Sequence, residues 1–140
     1  MNSYLPENLV RIIDRLQNAG NRHDLPGLIA CFAVDYQSQP PNHPDRAFHG
    51  RTQVEKNWSA IFDEIPDFRM EILDLAVNGS QVWTEWYWTG TLKDSTLFDW
   101  RGVIIFTIEE AGISAARLYM EPVQQAGPGI DATVKKMTKS

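Results

Sequence analysis

The stretch Gln81-Val-Trp-Thr-Glu-Trp-Tyr-Trp-Thr-Gly-Thr-Leu92 decides the fold, and it holds three of the five Trp residues of the chain. β-Branched and aromatic residues dominate it, which favours a β-strand. Side chains alternate between the two faces of a strand, so one face carries Trp86 and Trp88 and the other carries Trp83, Glu85 and Tyr87. Bulky groups on both faces predict that both are covered, by helices, a partner subunit or a ligand.

The segments around this stretch predict an antiparallel meander of four strands. Asn78-Gly79 is a strong hairpin signal, because both central residues of such a turn need positive φ. It joins a strand at residues 68–77 to the Trp-rich strand. Two further strands are predicted at residues 97–108 and 113–123, each preceded by a turn.

The N-terminal half predicts three helices with a short strand, residues 34–39, among them. Apolar residues recur at helical spacing in residues 4–19, and Asp24 is a natural N-cap for a second helix. A third helix follows Gly50 and stops at Pro66. Helices packed on a curved sheet form a cone with a hollow end, so we expect an α+β cone-shaped barrel with a ligand site in the hollow.

Length, charge and cysteine content limit the classes of function. The chain has 140 residues, about one domain, and we predict a domain at residues 1–125 and a flexible C-terminal tail at residues 126–140. Three Lys against one Asp give this tail a charge of +2, which leaves −7 for the remainder of a chain whose net charge is −5. An acidic protein of this kind is not expected to have nucleic acid or an anionic membrane as its main partner.

A single cysteine, Cys31, excludes an internal disulfide and fits a reducing compartment. The N-terminus has no basic segment followed by an apolar run, and no apolar run is long enough to span a membrane. These features predict a cytoplasmic protein. We find no metal-ligand spacing and no phosphate-binding or nucleophile-elbow motif, so no metal or cofactor is predicted.

Several short motifs along residues 5–123 resemble one family in their order and spacing. They are Cys31-Phe-Ala-Val-Asp-Tyr36, Phe48-His-Gly-Arg51, Ile65-Pro-Asp-Phe68, Trp88-Thr-Gly-Thr91, Trp100-Arg-Gly-Val103 and Arg117-Leu-Tyr-Met-Glu121. The chain thereby resembles the SnoaL-like, ketosteroid isomerase-like branch of the nuclear transport factor 2 (NTF2-like) superfamily. The resemblance implies three N-terminal helices packed on a curved, mostly antiparallel sheet. It does not select a reaction, because folds of this kind host many functions.

The steroid isomerases of that superfamily use a tyrosine, an aspartate base and a protonated aspartic acid. Our alignment places Leu16, Pro40 and Ile104 at these three positions. None of these side chains moves a proton or donates a hydrogen bond, so the isomerase constellation is absent.

The polyketide cyclases of the superfamily carry an acid near the end of the last strand, and Glu121 matches this position with Glu in place of Asp. Strand alternation, however, puts Leu118 and Met120 on the hollow side and Glu121 on the other, unless a bulge turns it. The alternative for Glu121 is an exposed carboxylate paired with Arg117.

His49, just before the third helix, is the second acid/base candidate, placed at the pocket mouth. Its alternative is a loop histidine that touches the helix start. His43, in the proline loop, and His23 are predicted to be surface groups.

Asp99 and Arg101, with Glu121, resemble the acid–Arg–acid set of the limonene epoxide hydrolases of this superfamily, with the order of Arg and acid reversed. The alternative is a salt bridge across strands or across a dimer. On the same outer face, exposed aromatic residues predict a homodimer contact between sheets through Trp83, Glu85 and Tyr87.

A set of mostly aromatic and apolar residues is predicted to line the hollow, where they offer a flat apolar ligand a large contact area. The alternative is a closed core. The predicted ligand-binding residues are Tyr36, Ser38, Trp58, Trp86, Trp88, Leu118 and Met120.

The leading hypothesis is a protein that binds a small, mostly apolar or aromatic, carbonyl-bearing molecule in the barrel hollow. If the protein is an enzyme, the expected reaction is proton transfer of the cyclase or isomerase type, with Glu121 and His49 as the catalytic residues. A non-catalytic ligand-binding or dimerisation module is the alternative, and an epoxide hydrolase-like enzyme is a further one. The sequence leaves open whether the protein is an enzyme.

Overall fold

A computed structural model of the chain describes residues 5–139. The helices are α1 (Pro6–Asn21), α2 (Leu25–Ile29), α3 (Arg51–Glu64) and α4 (Ile130–Thr138), with a 3₁₀ turn at Pro44–Arg46. The strands are β1 (Phe32–Gln39), β2 (Phe48–His49), β3 (Arg69–Asn78), β4 (Gln81–Thr91), β5 (Leu97–Glu109) and β6 (Gly112–Pro122). Residues 1–4 and 140 lie outside the described residues. The predicted domain and first helix begin among residues 1–4, and the predicted tail ends at residue 140.

The six strands form one sheet in the order β2-β1-β6-β5-β4-β3. Strands β3 to β6 make the antiparallel meander, in which Trp88 pairs with Trp100 and Trp86 with Gly102. Strand β1 lies parallel to β6, and the two-residue β2 pairs antiparallel with β1. The prediction of an α+β fold with N-terminal helices on a mostly antiparallel sheet is confirmed.

The Trp-rich strand β4 occupies the middle of this meander, and its two faces differ as alternation predicts. Val82, Thr84, Trp86 and Trp88 are buried beneath the helices, whereas the side chain of Trp83 points outward and is 42% exposed. The inner face of β4 therefore forms the centre of the core.

Side chains of α1 cover the edge strand β3, where a further strand would otherwise pair. The amide of Asn21 donates from Nδ2 to the carbonyl of Met70 (2.9 Å) and accepts at Oδ1 from the Met70 N–H (2.7 Å). Oε1 of Gln17 accepts from the Ile72 N–H at 2.8 Å. An open strand edge is a template for aggregation, and these contacts close part of it.

Two local predictions differ from the structure. Asn78 pairs with Gln81, so the hairpin loop is Gly79-Ser80, one residue later than predicted, and of the two only Gly79 has a positive φ (64°). Glycine adopts this conformation without steric cost, which fixes the loop at its position.

The C-terminal segment is the second difference, because a loose tail is expected after residue 125 and Ile130–Thr138 form α4. Ala132, Lys135, Lys136 and Met137 are good helix formers, which favours this local structure. The apolar side chains of Ile130 and Met137 are 74% and 75% exposed, so core packing does not hold the helix. The domain boundary at residue 125 stays a prediction.

Candidate functional site

Three cavities lie on the inner side of the sheet, and Trp88 and Leu118 line all three. The inner cavity, about 50 Å³, reaches Leu16, Trp86 and Ile104. The helix cavity, about 180 Å³, lies under α3 beside Val54 and Asn57. The loop cavity, about 190 Å³, lies beside the segment of residues 40–46. The interior of the barrel is therefore only partly filled by its own side chains.

Every residue predicted to bind a ligand lines at least one of these cavities. Trp86 lines the inner cavity and Met120 the loop cavity, while Ser38 lines both the helix and the loop cavity. Tyr36 and Trp58 line the inner and helix cavities. Their role as ligand contacts stays a prediction, because the placement shows access to space and not occupancy.

The three positions aligned with the steroid isomerase residues also line the cavities. Leu16 and Ile104 line the inner cavity and Pro40 the loop cavity. At each of them the side chain is apolar and carries no ionisable or hydrogen-bonding group.

Trp86 and Trp88 lie on the same face of β4, but their indole N–H groups have different surroundings. Nε1 of Trp86 donates to Oγ1 of Thr84 at 2.6 Å, and that hydroxyl donates to the carbonyl of Ile104 at 2.7 Å. Nε1 of Trp88 is buried and has no hydrogen-bond partner among the described residues. A buried donor without an acceptor costs about 1–3 kcal/mol, so this N–H is a site where an acceptor would be stabilised.

The ring of Trp88 is held in place by the aromatic residues around it. The ring of Trp58 lies 5.6 Å away at an interplanar angle of 70°, and that of Phe68 lies 6.0 Å away at 69°. Edge-to-face pairs of this kind restrict ring rotation and add to the stability of the wall.

Tyr36 and Ser38 supply a second polar element of the cavity wall. Burial raises the pKa of Tyr36 to about 12, against a smaller lowering by a hydrogen bond with Ser38. The phenol therefore stays protonated at neutral pH and keeps its ability to donate a hydrogen bond.

Glu121 points away from the hollow, as strand alternation predicts, while Leu118 and Met120 point into it. Its predicted alternative partner is Arg117, but Oε2 of Glu121 instead lies 2.7 Å from Nε2 of His43. The side chains of His43 and Glu121 are 33% and 49% exposed. Because His43 lines the loop cavity, the carboxylate is connected to the cavity through an imidazole.

The sequence predicts a surface position for His43, but the folded chain brings it to the loop cavity. The proline-rich segment after β1 brings it over the end of β6, because β1 and β6 are parallel neighbours. No local pattern in the sequence shows that pairing, since the two strands are more than 70 residues apart.

His49 lines none of the three cavities, and its predicted catalytic role stays a prediction. Phe48 and His49 are consecutive residues of β2 and point to opposite sides. Phe48 lines the helix and loop cavities, and the side chain of His49 is exposed.

The residues of the predicted hydrolase site do not converge in the hollow. Arg101 lies on the outer face of the sheet, with its guanidinium carbon 4.0 Å from the centre of the Tyr87 ring. Asp99 accepts at Oδ2 from Nε2 of Gln125 at 2.9 Å. The acid–Arg–acid set therefore faces away from the cavities.

A larger and more polar groove, about 460 Å³, lies between α1 and β3 and includes Gln17, Asn21, Arg69 and Glu71. Its amide side chains already bond the backbone of β3. The polar side chains of this groove therefore serve to cover the edge of β3. The smaller apolar cavities are the better candidate for a ligand site.

Within residues 5–139, no three His, Cys, Asp or Glu side chains are placed to hold a metal ion. Nor does any helix in this part of the chain combine the length and apolar character needed to cross a bilayer.

Comparisons with known proteins agree on the fold. A candidate SnoaL-like polyketide cyclase from Jannaschia sp. CCS1 matches with a TM-score of 0.69 and 17% identity, over 81% of this chain and 85% of that one. An LEH-like epoxide hydrolase from M. tuberculosis matches with a TM-score of 0.70 and 15% identity, over 81% of this chain and 82% of that one. A protein with a ketosteroid isomerase-like fold from Catenulispora acidiphila, in complex with trimethylamine, matches with a TM-score of 0.66 and 18% identity, over 76% of this chain and 82% of that one. At such low identity these similarities show the fold and not the reaction. None of the curated proteins matches the chain in sequence.

The family model of the SnoaL-like domain matches residues 13–116, which run from α1 into β6. The NTF2-like fold that the motifs imply is therefore confirmed. This continuous match over most of the barrel shows that the chain belongs to the SnoaL-like domain family.

Proposed function

We propose that the chain binds a small, flat, mostly apolar molecule in the cavities around Trp88, and that Trp88 Nε1 donates a hydrogen bond to a carbonyl oxygen of this molecule. One observation carries the proposal: the buried indole N–H of Trp88 has no partner among the described residues, and Trp88 lines all three cavities.

The chemistry of the walls supports this class of ligand. The cavities are lined by aromatic and aliphatic side chains, which favour an apolar body. The orphan group is a donor, so the ligand needs an acceptor at that point, and a carbonyl oxygen is the simplest one. The protonated Tyr36 phenol, beside Ser38 in the helix cavity, offers a second polar contact.

The binding proposal is tested with two ligands of nearly the same shape. In 2-acetonaphthone a carbonyl oxygen occupies the place of the CH₂ group of 2-isopropenylnaphthalene. We expect the ketone to bind about 2–10-fold more tightly in calorimetry, the range that one hydrogen bond gives. In NMR the indole N–H resonance of Trp88 should shift with the ketone.

The matched variants are Trp88→Phe and Trp86→Phe, which remove the same group from neighbouring positions on one face. Trp88→Phe should abolish the preference for the ketone, while Trp86→Phe should keep it because that N–H bonds Thr84. Equal affinities for the two ligands in the wild type would contradict the proposal.

A second candidate function is proton transfer next to the bound carbonyl, and the contact between His43 and Glu121 favours it. Glu121 bonds Nε2 of His43 at 2.7 Å, which orients the imidazole and leaves Nδ1 for a substrate. His43 and Trp88 line the same loop cavity.

In this reaction a proton leaves the carbon next to the carbonyl and binds Nδ1 of His43. The electron pair of the broken C–H bond forms the enolate, whose oxygen accepts the hydrogen bond from Trp88. Return of the proton to a different carbon completes an isomerisation.

The catalytic candidate is tested by exchange of the methyl protons of 2-acetonaphthone with D₂O, followed by ¹H NMR. We expect His43→Gln to lower the catalysed rate about 100-fold or more, since general bases contribute at least this much. Glu121→Gln should lower it less, and the matched control His49→Gln should not change it, because His49 lies outside the cavities. Exchange in the wild type at the rate of buffer alone would remove the catalytic candidate and leave the binding proposal intact.

A further inference from the structure

The loop cavity carries a positive charge that the proposed proton transfer does not use. Arg46 lines this cavity together with Ser38, His43 and Trp88. Among the described residues that line the three cavities, Arg46 is the one whose side chain is charged at any ordinary pH, and none is an Asp or a Glu. The chain as a whole has 18 Asp and Glu against 13 Lys and Arg, so the cavity wall and the molecule differ in the sign of their charge.

The guanidinium of Arg46 has no partner within the described part of the chain. Neither an ion pair nor a side-chain hydrogen bond joins it to another of residues 5–139. Arg46 is exposed, so its charge is solvated in the free protein. A carboxylate at the edge of the cavity would replace this solvation with two parallel hydrogen bonds, because the planar guanidinium matches a carboxylate in geometry.

The loop that carries Arg46 is ordered by contacts of its own. It joins β1 to β2, and these two strands pair antiparallel at its base. Within the loop the His43 N–H donates to the carbonyl of Pro40, and the Arg46 N–H donates to the carbonyl of His43, both at 2.9 Å. Three of the five residues 40–44 are prolines, which restrict the backbone further. A loop that is ordered beforehand loses little conformational entropy on binding, which favours a specific contact there.

Two acidic residues lie close to this wall without lining it. Asp45 precedes Arg46 in the chain and is exposed, and Glu121 bonds His43 at 2.7 Å. Both carboxylates lower the positive potential around Arg46, so a long-range field does not select an anion here. Selection of an anion requires direct contact with the guanidinium.

We propose that the ligand of the barrel is a keto acid with an apolar ring system, whose carbonyl oxygen bonds Trp88 Nε1 and whose carboxylate pairs with Arg46. This inference rests on the proposed binding of a carbonyl compound around Trp88 and adds an anionic group to it. Trp88 and Arg46 line the same loop cavity, so one small molecule can contact both. The carboxylate lies at the exposed end of the cavity, where it keeps part of its hydration and its desolvation costs little.

The test compares two ligands that differ in charge and hardly in shape. 6-Acetyl-2-naphthoic acid is a carboxylate at neutral pH, and 6-acetyl-2-naphthamide is uncharged. In calorimetry at low salt we expect the acid to bind about fivefold more tightly or better, as a partly exposed, charge-assisted contact gives. Added salt should reduce this preference, because salt screens an exposed ion pair.

The matched variants are Arg46→Gln and Arg11→Gln, each of which removes one positive charge. Arg11 is exposed on α1 and lines none of the three cavities. Arg46→Gln should abolish the preference for the acid and leave the affinity for the amide close to that of the wild type, whereas Arg11→Gln should keep the preference. Arg46→Lys retains the charge without the planar fork and should keep part of it.

The outcomes separate this inference from the proposed function. Equal affinities for acid and amide in the wild type, with the preference for 2-acetonaphthone over 2-isopropenylnaphthalene intact, would overturn the carboxylate contact alone. Equal losses in Arg46→Gln and Arg11→Gln would overturn it too, because the preference would then reflect net charge. An acid preference that depends on Arg46, without any preference for the ketone, would support the carboxylate contact and overturn the one at Trp88. Failure of all four ligands to bind would overturn both.

Discussion

Nε2 of His43 lies 2.7 Å from Oε2 of Glu121, although 78 residues separate them in the chain. The contact forms because β1 and β6 run side by side and the loop after β1 passes the end of β6. Glu121, which matches the acid of the polyketide cyclases, thereby contacts an imidazole that lines the loop cavity. In the proposed proton transfer, His43 is therefore the base and Glu121 its positioning residue, in place of the acid/base pair Glu121 and His49 that the sequence predicted.

Glu121→Gln should leave the free energy of unfolding within about 1 kcal/mol of the wild type, because a partly exposed contact between polar side chains contributes little to stability. Urea unfolding followed by fluorescence measures this. The result makes a lowered proton-exchange rate in the same variant interpretable as a loss of chemistry. A much larger destabilisation would mean that the pair is structural.

Trp86→Phe should destabilise the protein by about 1 kcal/mol more than Trp88→Phe. The two substitutions remove the same atoms from one face of β4, but only Trp86 loses a hydrogen bond, the one to Thr84. Urea unfolding of both variants without ligand gives the difference. If Trp88→Phe proved the more costly, its indole N–H would have an acceptor in the free protein.

Asn21→Ala should lower the free energy of unfolding by about 1–3 kcal/mol, because it leaves the N–H and C=O of Met70 without their partners at the strand edge. The control is Asn18→Ala, at an exposed position of the same helix. It makes the same change from Asn to Ala, so the difference between the two variants does not reflect helix propensity. We also expect faster aggregation of Asn21→Ala in light scattering, since it opens part of the β3 edge. Equal stabilities of the two variants would argue against edge protection by α1.

Tyr36 should make the protein sensitive to alkali. Its pKa is raised from 10.0 to about 12 in the folded state, so the fold favours the protonated phenol. The stabilisation is complete below about pH 10 and is lost as the pH rises to about 12, by about 2–3 kcal/mol in total.

Urea unfolding of wild type and Tyr36→Phe between pH 9 and 12 measures this loss. The difference in free energy between the two proteins should shrink over the interval. In the absorbance titration of tyrosinate, the variant should lack the step near pH 12. A late step that persists in Tyr36→Phe would assign the shift to another tyrosine.

Local patterns predicted the elements well because their physical causes are local. Alternation of side chains along Gln81–Thr91 sorts Trp86 and Trp88 from Trp83, and this follows from strand geometry alone. The same rule placed Leu118 and Met120 toward the cavities and Glu121 away from them. Asp24 caps α2 as predicted, with its Oδ1 accepting from the Gly27 N–H at 3.1 Å. The loop at Gly79-Ser80 was missed by one residue because the register of the whole hairpin, and not its dipeptide, sets the turn.

The sequence by itself determined the α+β class, the meander and the set of aromatic residues that face inward, because these depend on periodicity within single segments. Only the tertiary structure decided which polar groups meet. It left the Trp88 indole N–H without a partner, joined His43 to Glu121 and turned His49 to the surface. Each outcome depends on how strands far apart in the chain pair and on how loops then pass over them, and no short stretch of sequence contains that information.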